Sequence, residues 1–170
     1  IHIAQGEYIA FLDSDDMFAK SFIDDILQNI NLYHADIFSF GFCPEYNGNY
    51  KCRGAKKISL YRKHGYLEKL IDNTFSCQIC FRVYRRGLFN ECLFPVNCYY
   101  EDIRTLWKLV VLSEQIVHID YSYYIYNLSN QNSITKLVNV KSMKDMKDSV
   151  DIMINGIMEE FQKNDILAEK

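Results

Sequence analysis

The run Tyr8-Ile9-Ala10-Phe11-Leu12, cut off by Asp13-Ser14-Asp15-Asp16, constrains this chain more than any other segment. A short apolar run without alternation predicts a strand buried on both faces, as in a parallel sheet covered by helices. An acidic stop after such a strand falls at the carboxyl end of the sheet, where α/β folds bind their ligands. Next, Phe18, Phe22, Ile26 and Ile30 recur every four residues, with Ile23 and Leu27 beside them, and predict an amphipathic helix. Ala35 to Phe42 reads as the following strand. Strand, helix, strand is the unit of an α/β sheet.

Further along, Asn47-Gly48-Asn49 signals a turn within a hairpin or excursion. Leu60 to Ile71 has a helical pattern, and Ile79 to Tyr84 reads as a strand. Glu101 to Leu112 is a second helix, with Ile103, Leu106, Trp107 and Val110 on one face. Gln115–Ile119 and Ser122–Tyr126 read as two short strands. From Lys141 a long amphipathic helix carries Met143, Met146, Val150, Ile154, Ile157 and Phe161 as its apolar stripe. Such a stripe docks on its own domain before it serves a partner. This division puts an α/β domain over residues 1–138 and a C-terminal amphipathic helix over 139–170.

Composition excludes several classes. The 170 residues suit one domain, and a net charge of −3 with scattered Lys and Arg offers no footprint for nucleic acid. No apolar run reaches the roughly 20 residues of a membrane span. No basic segment followed by an apolar one opens the chain. The expected setting is therefore cytoplasmic, with reduced thiols, at most at the inner face of the membrane. The first residues already approach a buried strand, so the chain reads as starting inside a domain. Cys77 and Cys80 have C-x-x-C spacing, but Cys92 and Cys98 are wrongly spaced for a zinc partner pair, which leaves buried thiols as the reading. His2, His34, His64 and His118 show no ligand spacing. Arg82, Arg85 and Arg86 read as a solvated cluster, and Tyr121, Tyr123, Tyr124 and Tyr126 as strand packing or an acceptor groove.

Two acidic motifs carry chemistry. Asp13, Asp15 and Asp16 crowd like charges, which a divalent cation with hard oxygen ligands would neutralise. The plainer reading is that Asp15 or Asp16 caps a helix starting near Met17. Glu101 and Asp102 open a helix, where the helix dipole alone favours acids by about 0.3–1 kcal/mol. The functional reading is a carboxylate that accepts a proton from an attacking hydroxyl.

Taken together, Gly6-Glu7-Tyr8-Ile9-Ala10-Phe11-Leu12-Asp13-Ser14-Asp15-Asp16 and Tyr100-Glu101-Asp102-Ile103-Arg104-Thr105 resemble the inverting nucleotide-sugar transferases of glycosyltransferase family 2. Tyr124-Ile125-Tyr126 and Asn132-Ser133-Ile134-Thr135 resemble the end of the same pattern. The resemblance implies a GT-A-like mixed sheet flanked by helices, N-terminally truncated, with a C-terminal helical tail. It implies Asp13 and Asp15 as ligands of Mn²⁺ or Mg²⁺, with Asp16 beside them at the nucleotide-sugar donor, a UDP-sugar foremost. It implies Asp102 as the base, with Glu101 orienting the site, and a glycan or lipid-linked saccharide as acceptor. Peripheral membrane association and a homodimer stand as further partners. The chain departs from the family where Phe81-Arg82-Val83-Tyr84 replaces a Lys-bearing element and where Asn127 to Gln131 lacks an Arg. An alternative is an inactive, truncated transferase domain serving as a glycan-binding or scaffold module. An unrelated Mg²⁺ phosphohydrolase would account for the first motif and leave the second unexplained.

Overall fold

The structure, a computed structural model, describes residues 1–130 and 139–168. Six strands form one mixed sheet: β1 (Tyr8–Ala10), β2 (Met17–Phe18), β3 (Ile37–Glu45), β4 (Lys57–Tyr61), β5 (Arg82–Arg85) and β6 (Ile116–Asn127). The helices are α1 (Phe22–Tyr33), α2 (Lys63–Ile71), α3 (Glu101–Val111) and α4 (Val140–Ala168). The sheet runs β1-β5-β3-β6-β2, and β4 pairs with the first half of β6. β3 and β6 are parallel, and β5 is antiparallel to both β1 and β3. The strands β1, β3 and β6 therefore point the same way, and the Asp13–Asp16 turn leaves the sheet at their carboxyl end.

Alternation along the central strands sends side chains to two cores. Ile37, Tyr84 and Ile116 face α2, α3 and α4, where they meet Leu67, Leu106, Leu109 and Ile157. Phe38, Phe40, Val83 and Val117 face α1 and meet Phe22 and Ile26. Each fully buried aliphatic or aromatic side chain stabilises the fold by roughly 1.5–3 kcal/mol, so this two-sided burial fixes the sheet's register.

Several expectations need correction. Among the described residues β1 pairs only with antiparallel β5; it is buried only at Ile9, and Leu12 is half exposed. The first helix starts at Phe22, because Phe18 belongs to β2 and stacks on Phe22 at 3.9 Å. The segment read as a helix from Leu60 opens as strand β4, and extended Arg62 (ψ 165°) separates it from α2. The two short strands before Asn127 are one strand, β6, whose register against β3 shifts on both sides of Gly41. Asn47 and Gly48 both have positive φ, and Tyr46 bridges Asn49, as a tight Asn-Gly turn requires.

The tail docks on its own domain, but by a face rotated from the expected stripe. Ser142, Ser149, Met153 and Ile157 are buried, whereas Met143, Met146 and Ile154 are exposed. Small residues let α4 lie close to α3, and Arg104 donates to the Ser149 hydroxyl at 2.8 Å. At Gly156 an added Cβ would stand 2.2 Å from the Trp107 ring. Gly156→Ala gains roughly 1 kcal/mol of helix propensity. Over-packing against the ring should outweigh that gain and leave a net loss of about 1–2 kcal/mol. A lowered urea midpoint is the expected result, and an unchanged or raised one would show that Trp107 yields freely.

Candidate active site

The acidic turn is held by the end of β6. The Asp16 carboxylate is buried, accepting the Tyr124 hydroxyl at 2.6 Å and the Asn127 N–H at 2.7 Å. The same Tyr124 oxygen accepts the Asp13 N–H at 3.2 Å. Asn130 donates to the Asp15 carboxylate at 2.5 Å. The helix-capping reading of this turn does not hold, because α1 begins at Phe22 with Ser21 at its N-cap. The turn instead presents Asp13 and Asp15 outward while Asp16 anchors it.

The Asp13 carboxyl reaches solvent, yet protein packed against it raises its pKa, and the charges of Asp16, Asp15 and Glu101 push it further the same way. Glu101 lies at the start of α3, so the two acidic motifs share one electrostatic neighbourhood although far apart in the chain. The residue before it, Tyr100, takes a left-handed conformation (φ 58°) that is uncommon for a non-glycine residue. Asp102 is half-buried and accepts the N–H of Ile103 at 2.8 Å. A simple first-turn acid would be stabilised as an anion. Here burial dominates, Glu101 adds to it, and the Asp102 pKa climbs from 3.8 to about 6, with the Ile103 N–H and the Arg82 charge pulling the other way.

Arg82 is the residue that sequence reasoning misplaced most. It is 2 % exposed in the middle of the fold. Its Nε donates to the Tyr66 hydroxyl at 2.9 Å, Nη1 to Gln78 O at 2.7 Å and Nη2 to Ser76 O at 2.5 Å. Arg85 is also engaged, with Glu7 and Asp36, and Arg86 binds the Gly6 carbonyl, so the cluster is structural rather than solvated. The available signal was its place inside the strand Ile79 to Tyr84. For Tyr124 neither strand packing nor an acceptor groove anticipates its hydroxyl, which organises the acidic turn. Tyr123 is buried against α1 and donates to Asp25.

Burial pushes the Cys77 thiol up and the Cys80 thiol up to about 12, and Cys77 packs on Met153, which suits apolar packing. Among the described residues no group of three or more His, Cys, Asp or Glu forms a metal cage. Two crowded, outward carboxylates nevertheless fit Mg²⁺ or Mn²⁺, which take one or two protein carboxylates plus substrate phosphates and water. Asn132-Ser133-Ile134-Thr135 lies outside the described residues. No described helix is long and apolar enough to cross a membrane.

Comparison with known proteins agrees with this architecture. The chain is 24% identical over 141 residues to Glycosyltransferase GlyA of Streptococcus pneumoniae serotype 4, covering 72% of this chain and 19% of that protein. It is 24% identical over 136 residues to Glycosyltransferase GlyG of the same organism, covering 74% and 45%. The crystal structure of S. aureus TarS 1-349 in complex with UDP-GlcNAc superposes with a TM-score of 0.65 at 22% identity, over 87% of this chain and 43% of that one. The chain thus spans less than half the length of these relatives. The fold is that of the TarS structure, a mixed sheet flanked by helices with a helix at the C-terminal end. The sequence profile described as glycosyl transferase family 2 matches residues 1–93, more than half of the chain, and the chain belongs to that family.

Proposed function

We propose that this chain carries the metal- and acceptor-side residues of an inverting glycosyltransferase that moves a sugar from a UDP-sugar to a hydroxyl of a glycan or lipid-linked saccharide. The observation that supports the reading is that Asp13 and Asp102, both raised in pKa by burial, are both raised further by the charge of Glu101. Family membership and the UDP-GlcNAc complex of the similar TarS structure support it.

In this reading Asp13 and Asp15 hold a divalent cation, and Asp16, locked by Tyr124 and Asn127, fixes the turn that aims them beside the donor. When bound, the cation supplies Lewis-acid stabilisation to the departing diphosphate. Asp102 takes the proton from the acceptor hydroxyl as that oxygen attacks the anomeric carbon from the face opposite the leaving group. Burial keeps the Asp102 carboxylate basic, and like-charge repulsion from Glu101 adds to it. The Ile103 N–H and the Arg82 charge pull the other way, and a pKa of about 6 leaves Asp102 ionised at neutral pH. General-base help of this kind is worth about 10²–10⁴-fold.

The direct test is calorimetric titration of UDP into the intact protein with Mn²⁺. Asp13→Asn with Asp15→Asn should weaken Mn²⁺-dependent UDP binding by about 100-fold, the scale of lost charge-assisted ligation. Binding that is equal with and without Mn²⁺, or indifferent to the double substitution, would remove the metal from the reading.

A further inference from the structure

A cavity lies between the end of β3 and the excursion that follows it. The cavity holds about 650 Å³ and is lined by Phe42, Asn49, Tyr50, Lys51, Arg53 and Ser122, among others. Lys51, Arg53 and Tyr50 are exposed, and Phe42 is 46% exposed. Two cations, two aromatic faces and amide and hydroxyl groups in one concavity suit a saccharide that bears a fixed negative charge. Aromatic faces pack on sugar rings, and Lys and Arg bind phosphate or carboxylate oxygens.

The cavity wall is built rather than loose. Gly54 (φ 130°) presses on β6 so closely that a Cβ there would stand 2.2 Å from the Asp120 carbonyl. The Ser122 N–H donates to Arg53 O at 2.8 Å, and the Lys56 N–H to Asp120 O at 2.9 Å. Cys43 and Cys52 bring their sulfurs to 3.4 Å and hold the other side.

Side-chain contacts link the cavity wall to the acidic turn. Phe42 stacks on Phe81 at 4.8 Å, Phe81 meets Tyr124 at 5.0 Å, and Tyr124 holds Asp16. Asn127 and Asn130 bind Asp16 and Asp15, while the neighbouring Leu128 and Ser129 bind Glu45 and Asn47 at the cavity's edge.

We propose that this cavity is an acceptor subsite for an anionic saccharide, with Lys51 and Arg53 gripping a phosphate or carboxylate and Phe42 and Tyr50 packing on the sugar. The proposal rests on the transferase reading for the word acceptor, and its binding test does not. Calorimetry with the intact protein would compare three probes: a phosphorylated maltooligosaccharide, a uronic-acid oligosaccharide and neutral maltohexaose. At least one charged probe should bind about tenfold or more tighter than the neutral one at low salt, with the margin shrinking as salt screens it. Lys51→Ser with Arg53→Ser should erase the margin while leaving Mn²⁺-dependent UDP binding unchanged. A margin confined to the phosphorylated probe assigns a phosphate-bearing acceptor, and one confined to the uronate assigns a carboxylated acceptor. Equal binding of all three probes, or a margin that survives the double substitution, would overturn the subsite. Intact UDP binding alongside that failure would leave the transferase reading standing. A charge margin without UDP binding would do the reverse.

Discussion

Asp102→Asn is expected to lower sugar transfer by about 1,000-fold, within the range assigned to a general base, while making the protein more stable at neutral pH. The two effects share one cause. The folded protein holds the Asp102 proton up to about pH 6, whereas a solvated carboxyl of ordinary pKa 3.8 loses it earlier. The proton-bound state therefore favours folding below pH 3.8, and that contribution is lost as pH rises through about 6. At pH 7 the ionised carboxylate costs the fold about 2–3 kcal/mol, from 1.36 kcal/mol per pKa unit. An amide is neutral at every pH and can still accept the Ile103 N–H. The variant's urea midpoint should exceed the wild type's at pH 7 and converge with it near pH 4. Wild-type transfer should fall as pH drops below about 6, where the base becomes protonated. Wild-type turnover by the variant would sink the assignment of the base. Equal stability at pH 7 would show that the carboxyl is better solvated than its half-buried position implies.

The parts of this protein that were legible from sequence are those where period and punctuation agree. Helix α3 was readable because Leu106 and Val110 mark one buried face and Glu101-Asp102 marks its start. The Asp13–Asp16 turn was readable because it ends an apolar run. The illegible parts are those where tertiary partners decide. Leu60 is exposed on β4, so an apolar residue that suggested a helix was in fact on the outer side of a strand. Asp120 and Tyr121 looked like a break, yet they form the irregularity that lets β6 stay paired with β3 while turning its last residues toward the acidic turn. In α4, Ser142 and Ser149 are buried and three apolar residues of the expected stripe are not, because close helix approach and hydrogen bonding chose the face. No periodicity announces that a lone Arg in a strand will be enclosed, or that a Tyr hydroxyl will reach a carboxylate 108 residues away.

Arg82→Ala should cause the largest loss of stability, about 3–5 kcal/mol, the cost of emptying a buried ionic site and stranding its partners. The Tyr66 hydroxyl and the Gln78 and Ser76 carbonyls would each lose a donor in a region closed to water. All three are neutral oxygens, so the buried charge acts at longer range, on groups that surround it. It adds to the Ile103 N–H in holding Asp102 down against burial, and it reinforces the burial that presses His118 down to about 4. His118 meanwhile shares a hydrogen bond with Ser39 at 2.8 Å and packs on Phe75 at 4.3 Å, so its ring stays in place as its basicity changes. Removing the guanidinium should therefore raise both pKa values. The fraction that still folds should show its acid limb of transfer moved above pH 6, because Asp102 would hold its proton longer. Arg82→Lys separates the two roles. It keeps the charge, and one ammonium on a flexible stem cannot reproduce the planar fork that reaches three oxygens. Its urea midpoint should fall between those of the wild type and Arg82→Ala, and its pH profile should stay close to the wild type's. A lysine variant with the alanine variant's pH profile would mean that the fork's geometry, rather than its charge, sets the state of Asp102.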